Sequence, residues 1–260
     1  MIDLQKELET GRSVARRAGE IALRYYRTGI GFESKPDDSP VTRADRECEQ
    51  FIAGELERAF PDDGLLGEEG ARKPSRSGRR WIVDPIDGTR DFVRGNPVWA
   101  NLIALEADGE VVAGFACMPA LGEVFAASRG GGAFVNDRRI HASSISAISQ
   151  AVLCFDSLNS AARQPFGGRL LAWMQPFWAV RSMGGCLDAM MVSRGHAEIW
   201  IETSGKPWDF APLKIIAEEA GARFFDFEGK PTIYGGNCVV CAPALEQAVR
   251  LFLSQALPAE

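Results

Sequence analysis

The sequence predicts an α+β half followed by an α/β half, joined near residue 140, so that the chain divides into 1–140 and 141–260. Three observations predict it. Two helical stripes precede residue 61, short apolar strands replace them from Arg80 onward, and beyond about residue 145 strand-like and helix-like segments alternate.

Each element follows from its own pattern. In residues 3 to 27, Leu4, Leu8, Ala15, Ala18, Ala22 and Tyr25 recur at spacings of three, four and seven, which is one face of a helix. Residues 43 to 60 repeat the pattern with Ala44, Cys48, Ile52, Leu56 and Phe60, and Pro61 stops that helix. Between them, Lys35-Pro36-Asp37-Asp38-Ser39-Pro40 has turn chemistry and is expected to form a mobile loop. The segments RRWIV, WANLIALE, EVVAGFACM and EVFAAS, split by Ala107-Asp108-Gly109 and Pro119-Ala120-Leu121-Gly122, predict an antiparallel meander. Gly130-Gly131-Gly132 lacks a following Lys-Ser/Thr and a helix, so it is expected to be a hairpin turn and not a phosphate loop. The second half reads as AVLCF, a helix near 159 to 175, FWAVRS, a helix near 186 to 195, AEIWI, and a helix near 207 to 220 closed by Gly221. The strands ARFFDF and NCVVCA and a helix from Pro243 to about Gln255 complete it.

Composition narrows the function. At 260 residues with 46% hydrophobic residues the chain can bury a sizeable core, which excludes disorder. A formal charge of -6 argues against nucleic acid or an anionic membrane as partner, since both require a basic face. Neither a secretory h-region at the N-terminus nor an apolar run near the ~20 residues of a membrane span is present, and a cytoplasmic protein is expected. The six cysteines sit in apolar contexts, as buried thiols do. Cys238 and Cys241 form the one C-x-x-C pair, but on a strand they face opposite ways, so a zinc site is not expected.

The chemistry concentrates in Trp81-Ile82-Val83-Asp84-Pro85-Ile86-Asp87-Gly88-Thr89. An apolar strand is expected to end at Asp84, since Pro85 cannot extend a central ladder, and Gly88 permits a tight turn into a helix. Two carboxylates would then stand beside the free N–H groups of a helix start, an arrangement that accommodates an anion only with cations between them. Glu68, Asp45 and Asp209 have the same look of acidic residues at element ends. An oxygen-only donor set favours a hard ion, magnesium first and manganese second. Taken singly, each acid reads more often as a helix cap or a solvated charge than as a catalytic group.

Taken in order, Gly67-Glu68-Glu69, the Asp84-Pro85-Ile86-Asp87-Gly88-Thr89 motif, Pro207-Trp208-Asp209 and Glu218-Glu219-Ala220-Gly221 resemble the signatures of the inositol monophosphatase family. The resemblance runs from Asp45 into the C-terminal helix and implies a layered α-β-α-β-α sandwich. It implies that Glu68, Asp84 and the carbonyl of Ile86 hold one Mg²⁺, that Asp84, Asp87 and Asp209 hold a second, and that two or three ions act in all. It further implies that Thr89, bonded to Asp45, activates a water near Glu68, while the N–H groups of Gly88 and Thr89 hold the phosphate. Asp87, Glu202, Gly185 and Cys186 match positions on the substrate side. Plainer readings stand beside these: Glu202 also reads as a charge at a strand end, and Asp188 either as a charge for a cationic substrate or as a helix-surface residue.

The resemblance implies a phosphomonoesterase acting on a small phosphorylated metabolite, and family members are commonly homodimers. Arg181-Ser182-Met183-Gly184-Gly185-Cys186, Gly205-Lys206-Pro207-Trp208-Asp209 and Phe92 to Pro97 look most like the branch that acts on histidinol phosphate, ahead of inositol monophosphate. Gly185 and Trp208 depart from that branch, which usually carries aspartate and tyrosine there. The rival expectation, a catalytically silent relative serving as an interaction scaffold, requires that a ligand be lost, whereas every carboxylate and Thr89 are present.

Overall fold

The computed structural model describes residues 4–29, 31–35 and 40–254. The expected mobile loop falls largely on residues 36–39, and Gln255, where the last helix was expected to end, also lies outside the described residues. In chain order, α1 (Gln5–Thr28), β1 (Phe32–Ser34), β2 (Pro40–Thr42), α2 (Arg43–Ala59), β3 (Gly64–Gly67), β4 (Arg72–Lys73), β5 (Arg79–Asp87) and α3 (Thr89–Arg94) come first. Next are β6 (Ala100–Ala107), β7 (Glu110–Met118), β8 (Glu123–Ser128), β9 (Gly132–Val135), β10 (Arg138–Arg139), β11 (Val152–Phe155), α4 (Leu158–Ala161) and α5 (Leu170–Met174). The chain closes with β12 (Ala179–Arg181), α6 (Gly185–Ser193), β13 (Ile199–Glu202), α7 (Pro207–Glu219), β14 (Arg223–Phe225), β15 (Cys238–Cys241) and α8 (Glu246–Ser254).

The first sheet runs β10-β9-β8-β7-β6-β5-β3-β4, antiparallel from β5 through β10, as the meander predicts, with β3 parallel to β5. The second runs β12-β11-β13-β15-β14, with β11 parallel to β12 and β13. Three apolar clusters stack these sheets into layers. Val14, Ala18 and Ile52 of α1 and α2 pack on one face of the first sheet, against Trp81, Val83 and Phe115. On its other face, α6 and α7 share a cluster with Ile82, Leu102 and Phe125 below and with Cys154, Trp200 and Val240 of the second sheet above. The outer face of the second sheet is covered by α4, α5 and α8 through Ala161, Leu170, Val249 and Phe252. The expected α-β-α-β-α sandwich is therefore the observed one. Alternation along β15 sends Cys238 into the middle cluster and Cys241 into the outer one, so the pair never converges.

Two expectations about elements are corrected. The helix near 159 to 175 is three short pieces, α4, a 3-10 turn at Gly167–Arg169 and α5, because Pro165 and the Gly167-Gly168 pair interrupt it. The apolar strand does not end at Asp84 but continues to Asp87. Its pairing with β6 shifts register between Asp84 and Asp87, a bulge that absorbs the missing N–H of Pro85, whose carbonyl accepts from Asn101 Nδ2. The triple glycine forms the β8–β9 turn, and its Gly130 and Gly132 amides both donate to the Glu219 carboxylate at 2.8 Å. Among the described residues no helix is long and apolar enough to cross a membrane.

Candidate active site

The bulge in β5 is what opens the site. It leaves Pro85 and Ile86 without partners on β6 between the paired Asp84 and Asp87, and Ile86 anchors the turn by burying its side chain with Phe92 and Trp99. Gly88 follows at φ +82, a left-handed conformation that costs a side chain dearly, and a Cβ there would stand 2.8 Å from the Val98 carbonyl. Only then does α3 begin, with Thr89 at its first position.

The neighbours arrive by register and by helix ends. Parallel pairing sets Gly67 opposite Val83, so the chain leaving β3 places Glu68 beside Asp84, with the Glu68 amide on the Val83 carbonyl at 3.1 Å. Asp209 sits in the first turn of α7, where its Oδ2 accepts the Lys206 amide at 2.7 Å. The outcome is that carboxylate oxygens of Asp84, Asp87 and Asp209 all lie within 4.8 Å of one another. Asp45, fully buried at the start of α2, caps that helix through Thr42 and also receives the Thr89 hydroxyl at 3.3 Å; the same hydroxyl reaches the Ile86 carbonyl at 3.0 Å. Asp45 and Asp209 thus each accept an amide at a helix start, as the cap reading has it, and each also lies against the other residues of the cluster.

Electrostatics in this cluster are repulsive. Burial, then Glu68, Asp209 and Asp87, push the Asp84 carboxyl well up. Burial and Asp209 bring Asp87 to about 8, and burial, opposed by the Lys206 amide and reinforced by Glu68, brings Asp209 to about 6. Burial also raises Asp45, partly offset by Thr42. Lys35 guards the outer edge, its Nζ donating to Glu68 Oε1 at 2.7 Å and to Glu69 Oε1 at 2.5 Å.

A cleft of about 400 Å³ opens in front of these groups. Glu68, Asp84, Ile86, Asp87, Gly88, Thr89, Gly185, Cys186, Glu202 and Asp209 line it; Asp45, which the Thr89 hydroxyl meets, is not among the lining residues. The Cys186 amide donates to Asp87 Oδ2 at 3.2 Å, and Gly185 is close enough that a Cβ would lie 3.2 Å from the same oxygen.

Asp188 is corrected on both of its readings. It is neither on the helix surface nor in the cleft but fully buried, accepting the Met183 and Gly184 amides at 3.1 and 3.2 Å and so shaping the turn before α6. Asp156, in contrast, lines the cleft and was missed. β11 runs parallel to β13 with Phe155 opposite Ile201, which sets Asp156 beside Glu202, and burial followed by Asp156 raises the Glu202 carboxyl. A signal existed: AVLCF-Asp156, IWI-Glu202 and WIV-Asp84 are all apolar strands that end in an acid.

Comparison with known proteins places the chain as a whole. The profile described as the inositol monophosphatase family matches residues 3–256. A histidinol-phosphatase of Chlorobaculum parvum is 40% identical over 92% of this chain and 92% of its own length. Among solved structures, a Thermotoga maritima IMPase superposes with a TM-score of 0.85 at 30% identity, over 95% of this chain and 96% of its own. The extragenic suppressor protein SuhB of Bartonella henselae does so with 0.86 at 31%, over 96% and 98%.

Proposed function

The chain belongs to the inositol monophosphatase family and is a phosphoric monoester hydrolase of that class, and from this premise we propose that it hydrolyses histidinol phosphate with the help of magnesium. The observation that carries the metal reading is the meeting of Asp84, Asp87 and Asp209. Three mutually repelling, oxygen-only donors at this spacing fit a hard divalent ion, with manganese as a substitute. Glu68, Asp84 and the Ile86 carbonyl are assigned to one ion and Asp84, Asp87 and Asp209 to a second, two or three in all; bound there, they supply charge neutralisation and a more acidic water.

The chain's own groups do the rest. The Gly88 and Thr89 amides, at the start of α3, receive phosphate oxygens. The Thr89 hydroxyl accepts a proton from the attacking water while passing its own to Asp45 Oδ1, whose burial equips it to hold one. The oxygen of that water attacks phosphorus in line, the ester bond breaks, and the departing alkoxide takes a proton from solvent. In the same cleft, Glu202 and Asp156 favour a cationic alcohol over a neutral polyol, since Arg90 is the only basic residue lining the cleft among the described residues. The Cys186 amide holds Asp87 in place, and Gly185 leaves room for the approach.

A substrate panel with Mg²⁺ tests this. Histidinol phosphate is expected to exceed inositol 1-phosphate and fructose 1,6-bisphosphate in kcat/KM by at least about tenfold, the scale of one well-placed charge contact. Equal rates throughout would sink the substrate assignment, and absence of turnover with both Mg²⁺ and Mn²⁺ would favour the scaffold reading. Six free, buried cysteines support a reducing, cytoplasmic setting, and the exposed Leu171 and Trp178 before the edge strand β12 support a homodimer, which light scattering on the purified protein checks.

A further inference from the structure

Helix α2 carries two buried carboxylates on one face, and the chemistry above uses only the first. Asp45 meets Thr89; Glu49, four residues and so about one turn further on, is 4% exposed and reaches no group of the cleft. Both Glu49 oxygens are spent on backbone. Oε2 accepts the amide of Glu69 and Oε1 that of Ala71, each at 2.8 Å. These amides belong to the turn that leaves β3 and presents Glu68, a turn closed on itself by the Gly67 amide and the Ala71 carbonyl at 2.8 Å.

The turn is cut to fit this carboxylate. A Cβ on Gly67 would stand 2.2 Å from Glu49 Oε2 and 2.6 Å from its Cδ, so only glycine lets the two approach. An amide in place of the acid would satisfy one N–H and set its own NH₂ against the other. Burying an acid is costly unless both its oxygens are well bonded, and here they are, with no ion pair to it among the described residues.

We propose that Glu49 is a positioning residue that fixes the main chain just after Glu68, at Glu69 and Ala71, and thereby sets the affinity of the cleft for a divalent ion. The inference rests on the reading of Glu68 as a ligand. Lys35 restrains Glu68 at the tip of its side chain, whereas Glu49 restrains the backbone from which that side chain projects.

Metal-stripped full-length protein titrated with Mn²⁺ alone, with the free ion read by electron paramagnetic resonance, provides the test. Glu49→Gln is expected to bind roughly 10- to 100-fold more weakly, the usual cost of losing a group that orients a ligand. In a Glu68→Gln background the same substitution is expected to cause no further loss, because its route is gone. Asp63→Asn removes a buried acid tied to Arg79 away from the cleft and is expected to lower the melting temperature while leaving Mn²⁺ affinity unchanged. Gly67→Ala, which displaces the carboxylate without removing it, is expected to weaken binding in the same direction and serves if Glu49→Gln does not fold. Undiminished affinity in Glu49→Gln or in a folded Gly67→Ala protein, or an equal further loss in the Glu68→Gln background, overturns the proposal. A wild-type protein that binds no Mn²⁺ overturns instead the metal reading beneath it.

Discussion

Folding costs the Asp87 carboxylate more than the Cys186 amide returns until a cation joins it, because the fold takes it out of water and sets it against Asp209. Its folded carboxyl binds a proton up to about 8, whereas in the unfolded chain it would release that proton at its ordinary, far lower value. Between those values the folded state holds more protons, so the contribution of these two groups to stability is greatest in acid and is lost as pH rises through about 6, where Asp209 ionises, and about 8. Metal-free protein is therefore expected to melt at progressively lower temperature across that range, and saturating Mg²⁺ to flatten the decline; a metal-free melting curve indifferent to pH there would contradict it. Asp84→Asn removes one charge from the same cluster. Activity is expected to fall at least about a hundredfold, while the metal-free variant melts no lower than wild type because repulsion is relieved. Unaltered turnover would count decisively against the ligand assignment. Legibility in the sequence tracks how locally each residue is signalled. Asp84, Asp87, Gly88 and Thr89 lie in one short stretch whose proline and glycine announce a turn, whereas Asp156 acquires its meaning only when β11 pairs with β13, and Glu49 only when α2 packs under the Glu68 turn.

Strands and helices carry these residues to one place by means that differ in how visible they are beforehand. The meander and the amphipathic α1 and α2 could be read because their apolar periods are long and uninterrupted. β3 could not, since four residues between a helix and two acids show no period, yet its parallel pairing with β5 is what delivers Glu68. The run of helix expected at 159 to 175 failed for the opposite reason: apolar residues were present, but Pro165 and two glycines outweighed them. The bulge of β5 and the turn at Gly88 are the joint on which the site is built. Gly88→Ala is expected to cost about 1–2 kcal/mol for the left-handed backbone alone, and more once its Cβ meets the Val98 carbonyl. Because the strain falls between Asp87 and Thr89, kcat is expected to drop further than the melting temperature would suggest; full activity in a folded Gly88→Ala protein would show that α3 need not start where it does.

At the scale of the molecule, the middle layer decides how the two halves depend on each other. The inner face of the first sheet, with Ile82, Leu102, Ala104, Ala116 and Phe125, finds its cover in α6 and α7, and the same helices cover Trp200, Phe224 and Val240 of the second sheet. One cluster thus contains residues from before and after residue 140, and neither sheet can bury its inner face without the helices between them. Further ties cross the same boundary: Arg80 and Glu106 of the first sheet both bond to the Tyr234 hydroxyl, and Glu219 of α7 caps the triple-glycine turn. Asp209 is held at the start of α7 by this packing, so the site is assembled only when the layers close. The halves 1–140 and 141–260 are accordingly expected to be structural regions and not independent folding units. Calorimetry of the full chain is expected to give one cooperative transition whose calorimetric and van't Hoff enthalpies agree. A fragment of residues 1–140, left with an uncovered apolar sheet face, is expected to aggregate or to melt without cooperativity. A soluble fragment with a sharp transition of its own would show that α1 and α2 suffice to stabilise the first sheet, and that α7 docks on a surface already formed.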